Sequence, residues 1–413
     1  MKIAIVGYGL EGKASYEYWH MPGNELTIVD ERSKIEDLPN GANTILGPDS
    51  FSKLEDFDLI IRSPSVHPKK LPYGGKVWSA TNEFFEECPA PIIGVTGTKG
   101  KGTTSSLIAS ILKATGRTVH LVGNIGTPAL TELPKVQASH VVVFELSSFQ
   151  LWDLQKSPHV AVVLGIEPDH LDIHDSMEDY VKAKANITRY QTENDVLVFN
   201  ASNDIAKQIA ENSVARKMWY PFGMAEYVDA LAVPGPHNIE NAAAAIAATN
   251  EYTQNRSVIR QGLASFTGLP HRIKFVREVN SVKYYDDSYS SAPSASLAAL
   301  KSFTEPRVIL LGGIERKADF TELASYVASN ESVKVVVYGA NRDRLVVDLR
   351  NQSVDDSRIK LLETTNFESI VKTAAEWCEP DGVVILSPGC ASFDMFKNFT
   401  DRGEKFIRIV ESL

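Results

Sequence analysis

Short apolar, β-branched runs alternating with longer helical patterns predict an α/β protein of three domains built on largely parallel sheets. Three observations carry that expectation. KIAIVG, LTIVD, DLIIRS, PIIGVTG, VVVFEL, VAVVLGI, DVLVFN, RVILLGG, KVVVYG and GVVILS are each of strand length and mostly apolar, as strands covered on both faces of a parallel sheet must be. A chain of 413 residues exceeds one ordinary core, and its 43% hydrophobic content can fill several. The helical pattern breaks in prolines near residues 87–91 and again before Leu269-Pro270, dividing the chain into 1–89, 90–267 and 268–413. Beyond the second break, KFVREVNSVKYYDDS reads as two strands joined by an Asn-Ser turn.

Charge and cysteine content narrow the function classes. Forty-two Lys plus Arg against 52 acidic residues give a net charge of -10, which argues against nonspecific nucleic-acid binding. An anionic ligand therefore needs locally placed donors. Cys88, Cys378 and Cys390 are odd in number and far from any metal-ligand spacing, as expected in a reducing cytosol. MKIAIVGYGL breaks at glycine too soon for a signal peptide, and no run approaches the ~18 apolar residues of a membrane span. The expectation is a cytoplasmic monomer without membrane insertion.

Chemistry is concentrated first in PIIGVTGTKGKGTTSSLIASIL, an apolar strand running through a glycine-rich turn into a helix. Consecutive backbone N–H groups and the positive end of the helix suit a polyphosphate. Gly97 and Gly100 permit the turn, Lys101 can reach the β- and γ-phosphates, and Thr103 or Thr104 offers a hydroxyl to Mg²⁺. Against the strict phosphate-loop spacing, Val95 stands in place of the first glycine and Gly102 in place of the hydroxyl residue. A second glycine turn, Gly7-Tyr8-Gly9-Leu10-Glu11-Gly12, follows the first strand, with Asp30 about twenty residues on. Alone it matches a dinucleotide fingerprint. Beside the better phosphate loop it is read as holding the nucleotide end of a substrate.

Carboxylates and imidazoles gather at the ends of later strands, where open α/β sheets bind ligands. Glu145 ends VVVFEL, and GIEPDHLDIH supplies Asp169, His170, Asp172 and His174. Such oxygen ligands suit Mg²⁺, and one imidazole could join them. Lys182 and Lys184, two apart on the next helix, face different directions. A lysine directed at a metal is wrong chemistry unless its charge is removed.

Taken in order, GTKGK, GNIG, ELSSFQL, DHLD, GPHNIENAAAA, LPHR and LSPGCASFDMFKNFTDRG resemble the Mur ligases over nearly the whole chain, and the last segment is most similar to their UDP-N-acetylmuramoyl-alanine:glutamate branch. The resemblance implies a Rossmann-like first domain for the UDP substrate, a central P-loop ATPase-like domain, and a Rossmann-like third domain for glutamate. It implies ATP-dependent ligation of glutamate, D-glutamate by preference, to UDP-N-acetylmuramoyl-L-alanine through an acyl phosphate, with ATP and two Mg²⁺ sites. Gly97, Thr98, Gly100, Lys101, Gly102, Thr103 and Thr104 would cradle the ATP phosphates, and Asn238, Asn241, Arg272 and Asp287 its adenine and ribose. Thr103, Glu145, His170 and a carbamylated Lys184 would bind Mg²⁺, with Lys101, Glu145, His170 and Lys184 as the catalytic set. Gly9, Leu10, Asp30, Arg32, Ser63 and Pro64 correspond to the uridine-diphosphate site, and Asn124, Ser147 and Gln150 to muramoyl-alanine contacts. Ser291, Arg316, Lys317, Ser392, Phe393 and Phe399 correspond to the glutamate pocket.

One departure bears on substrate choice. The family's DSKATN segment reads Asp287-Ser288-Tyr289-Ser290-Ser291-Ala292, so a tyrosine replaces a lysine, and the segment resembles a branch that adds L-glutamate. A folylpolyglutamate synthase shares the chemistry and the Gly-Lys-Gly-Thr loop, but not the amino-terminal glycine turn. A nucleotide-sensing regulator and a dehydrogenase are the alternatives from other classes.

Overall fold

A computed structural model describes residues 1–72, 76–124, 126–314 and 318–413. Two compact units emerge, one of Met1–Ala230 with Glu240–Leu263 and the other of Leu231–Ile239 with Ala264–Leu413. The first unit holds two sheets and the second holds one.

The amino-terminal sheet contains β1 (Lys2–Val6), β2 (Glu25–Asp30), β3 (Asn43–Leu46), β4 (Leu59–Arg62) and β5 (Val77–Ser79), all parallel in the order β3-β2-β1-β4-β5. Strand order reverses at β1, so the crevice at its carboxyl end lies where the glycine turn begins. Ile3, Ala4, Ile5 and Val6 are fully buried, which is why this run carries no polar alternation.

The second sheet contains β6 (Ile92–Thr96), β7 (Val119–Gly123), β8 (Val141–Glu145), β9 (Val160–Val163), β10 (Val196–Asn200) and β11 (Arg216–Tyr220), ordered β11-β10-β9-β6-β8-β7 and again parallel. β6 is central, and its carboxyl end feeds the phosphate-loop turn and the helix Lys101–Ala114. Leu107, Ile108, Ile111 and Leu112 bury one face of that helix and anchor its amino end beside β6.

The second unit's sheet contains β12 (Lys274–Val279), β13 (Val282–Asp286), β14 (Arg307–Gly312), β15 (Val333–Tyr338), β16 (Ile359–Leu361) and β17 (Val383–Leu386), ordered β12-β13-β17-β14-β15-β16. β12 and β13 form the expected antiparallel hairpin, with Asn280 at φ 51° and Ser281 at φ 64°. Positive φ at both turn residues matches the twist of the strands it joins. Among the described residues no helix is long and apolar enough to cross a membrane.

Candidate active site

The phosphate loop is built as the glycines require. Gly97 (φ 148°) and Gly100 (φ 83°) occupy conformations that side chains rarely adopt, and a Cβ on Gly100 would lie 2.4 Å from Asn241 Oδ1. Gly100 then caps the helix, and Lys101 is its first residue. Lys101 Nζ donates to Gly97 O at 3.1 Å and to Thr98 O at 2.8 Å, so the amine lies folded over the loop it was expected to serve. Of the two hydroxyl candidates, Thr104 is fully buried and donates to Asn241 Oδ1, whereas Thr103 is half-buried. Gly102 is buried beneath them. Thr98 pins the loop: its N–H donates to Gly165 O, its hydroxyl lies 3.0 Å from both Glu167 O and the Tyr180 hydroxyl, and it accepts from Glu167 N–H.

Lys184, on the helix Met177–Ala185, is 1% exposed, whereas Lys182 is exposed, as their spacing required. Lys184 Nζ donates to the same Gly97 carbonyl at 2.8 Å and stands 4.6 Å from the Tyr180 ring centroid. No carboxylate among the described residues lies within ion-pairing distance of it. Burial, then repulsion from Lys101, holds this amine well below the ordinary lysine range, against weaker attraction from Asp169 and Glu145. Two lysine amines thus meet on one loop carbonyl.

Glu145 ends β8, is 5% exposed, and accepts from Asn124 Nδ2 at 3.1 Å. His170 has φ 53° and an exposed ring that stands edge-on to Phe149 at 5.0 Å. Among the described residues no three His, Cys, Asp or Glu side chains are grouped to hold a metal. A metal at this loop must therefore draw on other oxygens. Ser147 and Gln150 form a capping box, and Gln150 is 2% exposed, so the motif ELSSFQL first serves to start the short helix Ser148–Leu151.

Gln150 Nε2 also donates to Glu11 Oε1 at 2.7 Å, a carboxyl in the amino-terminal glycine turn that sequence reasoning passed over. Burial pushes Glu11 up to about 7, against the opposing effects of Gln150 and Arg62. Folded Glu11 therefore binds more protons than the unfolded chain between the ordinary glutamate range and about pH 7, and its contribution to stability falls as pH rises through that window. Glu11→Gln keeps the acceptor for Gln150 and removes the buried charge. The variant is expected to unfold at a higher temperature than the parent at pH 8, by about 1–2 kcal/mol in stability, with little difference at pH 5. Equal gains at both pH values, read by calorimetry, would contradict this account.

At the same turn, Asp30 accepts from Tyr8 N–H and from the Arg32 N–H and guanidinium. Burial raises its pKa, but these bonds outweigh that effect and hold the carboxyl at about 2. Asp30 thus orients Arg32, whose side chain is 54% exposed. Ser63 donates to Gly7 O and fixes the turn from below, followed by half-buried Pro64. Gly9 and Leu10 are exposed at its rim.

In the second unit a cleft of about 360 Å³ is lined by Tyr289, Ser291, Ser392, Phe393, Phe399 and Arg402. Ser392 is 2% exposed and Phe393 63% exposed, so the expected pocket residues form both floor and rim. Arg402, absent from the sequence reading, is fully buried; it donates to the Ser288 hydroxyl and carbonyl and to Cys390 O. A buried cation held by neutral acceptors favours an anion in the cleft above it. Asp287 is buried, and burial pushes it up to about 7 despite bonds from Ser290, Ser387 and Ile273 N–H. Asn238 donates to Pro234 O at 2.6 Å. Arg316 and Lys317, expected at glutamate's side-chain carboxylate, lie outside the described residues.

A glycine-rich loop on a central parallel strand, two amines on its carbonyl and a cleft floored by a buried arginine fit a nucleotide-dependent enzyme. Residues 95–228 match the Mur ligase middle domain and residues 271–390 the Mur ligase glutamate ligase domain. The chain is 38% identical to the UDP-N-acetylmuramoylalanine--D-glutamate ligase of Acetivibrio thermocellus over 100% of its length and 96% of that relative, and 36% identical to the enzyme of that name from Clostridium tetani over 100% and 97%. In fold it is similar to the Thermotoga maritima UDP-N-acetylmuramate-alanine ligase, with a TM-score of 0.62 at 18% identity over 100% of this chain and 99% of that one. The chain belongs to the Mur ligase family, ATP-dependent enzymes that form amide bonds.

Proposed function

We propose that this ligase joins D-glutamate to UDP-N-acetylmuramoyl-L-alanine in the cytosol, acting as a monomer, with residues 1–89, 90–267 and 268–413 serving acceptor, ATP and glutamate respectively. The alanine carboxylate attacks the γ-phosphorus of ATP and ADP leaves. The glutamate amine then attacks the acyl phosphate, loses a proton, and phosphate departs as the amide forms. The convergence of Lys101 and Lys184 on the Gly97 carbonyl carries this reading, because it sets one permanent cation and one modifiable amine where a terminal phosphoryl group would lie. The names of the relatives support the substrates and the D configuration.

The residues also fit Mg²⁺. Lys184 is buried without a carboxylate partner among the described residues, and a carbamate on it keeps one N–H for Gly97 O while adding two acceptor oxygens. Thr103, Glu145, His170 and carbamylated Lys184 would then hold metal together with phosphate oxygens. Bound there, Mg²⁺ would neutralise charge on the transferred phosphoryl group. Lys101 steadies the γ-phosphate.

Tyr289 in the Asp287–Ala292 segment favours a second reading, the same reaction with L-glutamate. Purified enzyme with ATP, UDP-N-acetylmuramoyl-L-alanine and each glutamate enantiomer decides between them. Phosphate release and a product heavier by one glutamyl unit are expected with D-glutamate. Turnover with the L enantiomer alone would install the second reading, and turnover with neither would remove both.

A further inference from the structure

We propose that Tyr289 is a positioning residue whose ring seats the Arg272 guanidinium, an inference that rests on the assignment of Arg272 to the nucleotide. The Arg272 Cζ stands 3.9 Å from the Tyr289 ring centroid, closer than any other cation to an aromatic ring among the described residues. Arg272 is exposed, and no carboxylate among the described residues pairs with it. Its guanidinium fork is therefore held by an aromatic face while its N–H edges stay available to an anion.

The backbone around Arg272 is also held against its preference. His271 (φ 59°) and Ile273 (φ 43°) flank it in the left-handed region, where a β-branched residue such as isoleucine is rarely found. The segment following β13 pays for that conformation. His271 Nδ1 lies 2.6 Å from Asp286 Oδ2, Ile273 N–H donates to Asp287 Oδ1, and Tyr289 N–H donates to His271 O. Tyr289 thus grips this loop twice, by its backbone and by its ring. Phe399 braces the ring edge-on at 5.0 Å, and both aromatics line the cleft already described. Since Tyr289 is 45% exposed, its ring adds little to the hydrophobic core. Leucine in its place removes the cation–π seat and leaves the backbone grip.

The test is the KM for ATP in Tyr289→Leu, Tyr289→Phe, Arg272→Ala and the Tyr289→Leu/Arg272→Ala double variant, with thermal unfolding measured for each. Tyr289→Leu is expected to raise the KM for ATP roughly three- to five-fold, the scale of one partly exposed cation–π contact, without lowering the unfolding temperature. Tyr289→Phe, which keeps the ring, should stay within about two-fold of the parent. In the Arg272→Ala background the leucine substitution should add nothing, because the partner of the ring is gone. A raised KM in Arg272→Ala beside an unchanged KM in Tyr289→Leu would sink the seat alone. An unchanged KM in Arg272→Ala would sink the nucleotide assignment beneath it.

Discussion

Lys184→Ala is expected to lose roughly 10²–10³-fold in turnover, the scale of removing one preorganised group that meets transition-state charge. The side chain is almost fully enclosed and its amine reaches the phosphate loop at Gly97 O. As a plain ammonium it would repel both Lys101 and any divalent cation, so a purely cationic role is the least favourable use of this position. As a carbamate it supplies acceptors that the described residues otherwise lack in a group of three. Formate or acetate diffusing into the space left by alanine should restore part of the activity without added bicarbonate. Lys184→Met separates chemistry from packing: it fills the site with similar volume and removes a costly buried amine, so it should fold at least as stably as the parent while remaining inactive. Parent-like turnover in Lys184→Ala would remove carbamylation from the mechanism.

How much of this was legible in the chain follows from where each strand sits. All ten apolar runs singled out from sequence became interior strands of the three sheets, among them β1, β2, β6 and β17. The strands left unread, β3 (NTIL), β5 (VWS), β7 (VHLVG), β11 (RKMWY) and β16 (IKL), are all sheet edges. An edge strand has one unpaired side and partial solvent exposure, so its residues are short-run and mixed in polarity. β12 is the one edge that was read, because its hairpin turn left a local mark.

The site divides the same way. The glycine-rich loop was legible because backbone that bends so sharply demands glycine. Lys184 was legible only through a resemblance, since helical spacing separates it from Lys182 without saying which one is buried. Glu11 and Arg402 were missed because drawing a charged side chain in from solvent, partly for Glu11 and fully for Arg402, is a property of tertiary packing and leaves no periodic trace. Asp30 shows the converse. Its place after β2 matched a dinucleotide fingerprint, and packing adds what spacing could not show, hydrogen bonds to Tyr8 and Arg32 that orient the arginine.

Lys101→Ala is expected to lower kcat by roughly 10²–10³-fold while raising the KM for ATP by a smaller factor. The division between the two constants is the informative part. Lys101 donates to the Gly97 and Thr98 carbonyls, neutral acceptors weaker than the charged oxygens of a polyphosphate. Ground-state ATP in this loop would already take backbone N–H contacts, so the lysine is expected to matter most where negative charge shifts onto the bridging oxygen and the transferred phosphoryl group. Because Lys101 is half-buried at the first turn of its helix, and Leu107, Ile108, Ile111 and Leu112 anchor that helix further on, thermal unfolding should be nearly unchanged. A variant with a raised KM and intact kcat would make the lysine an anchor for nucleotide and nothing more.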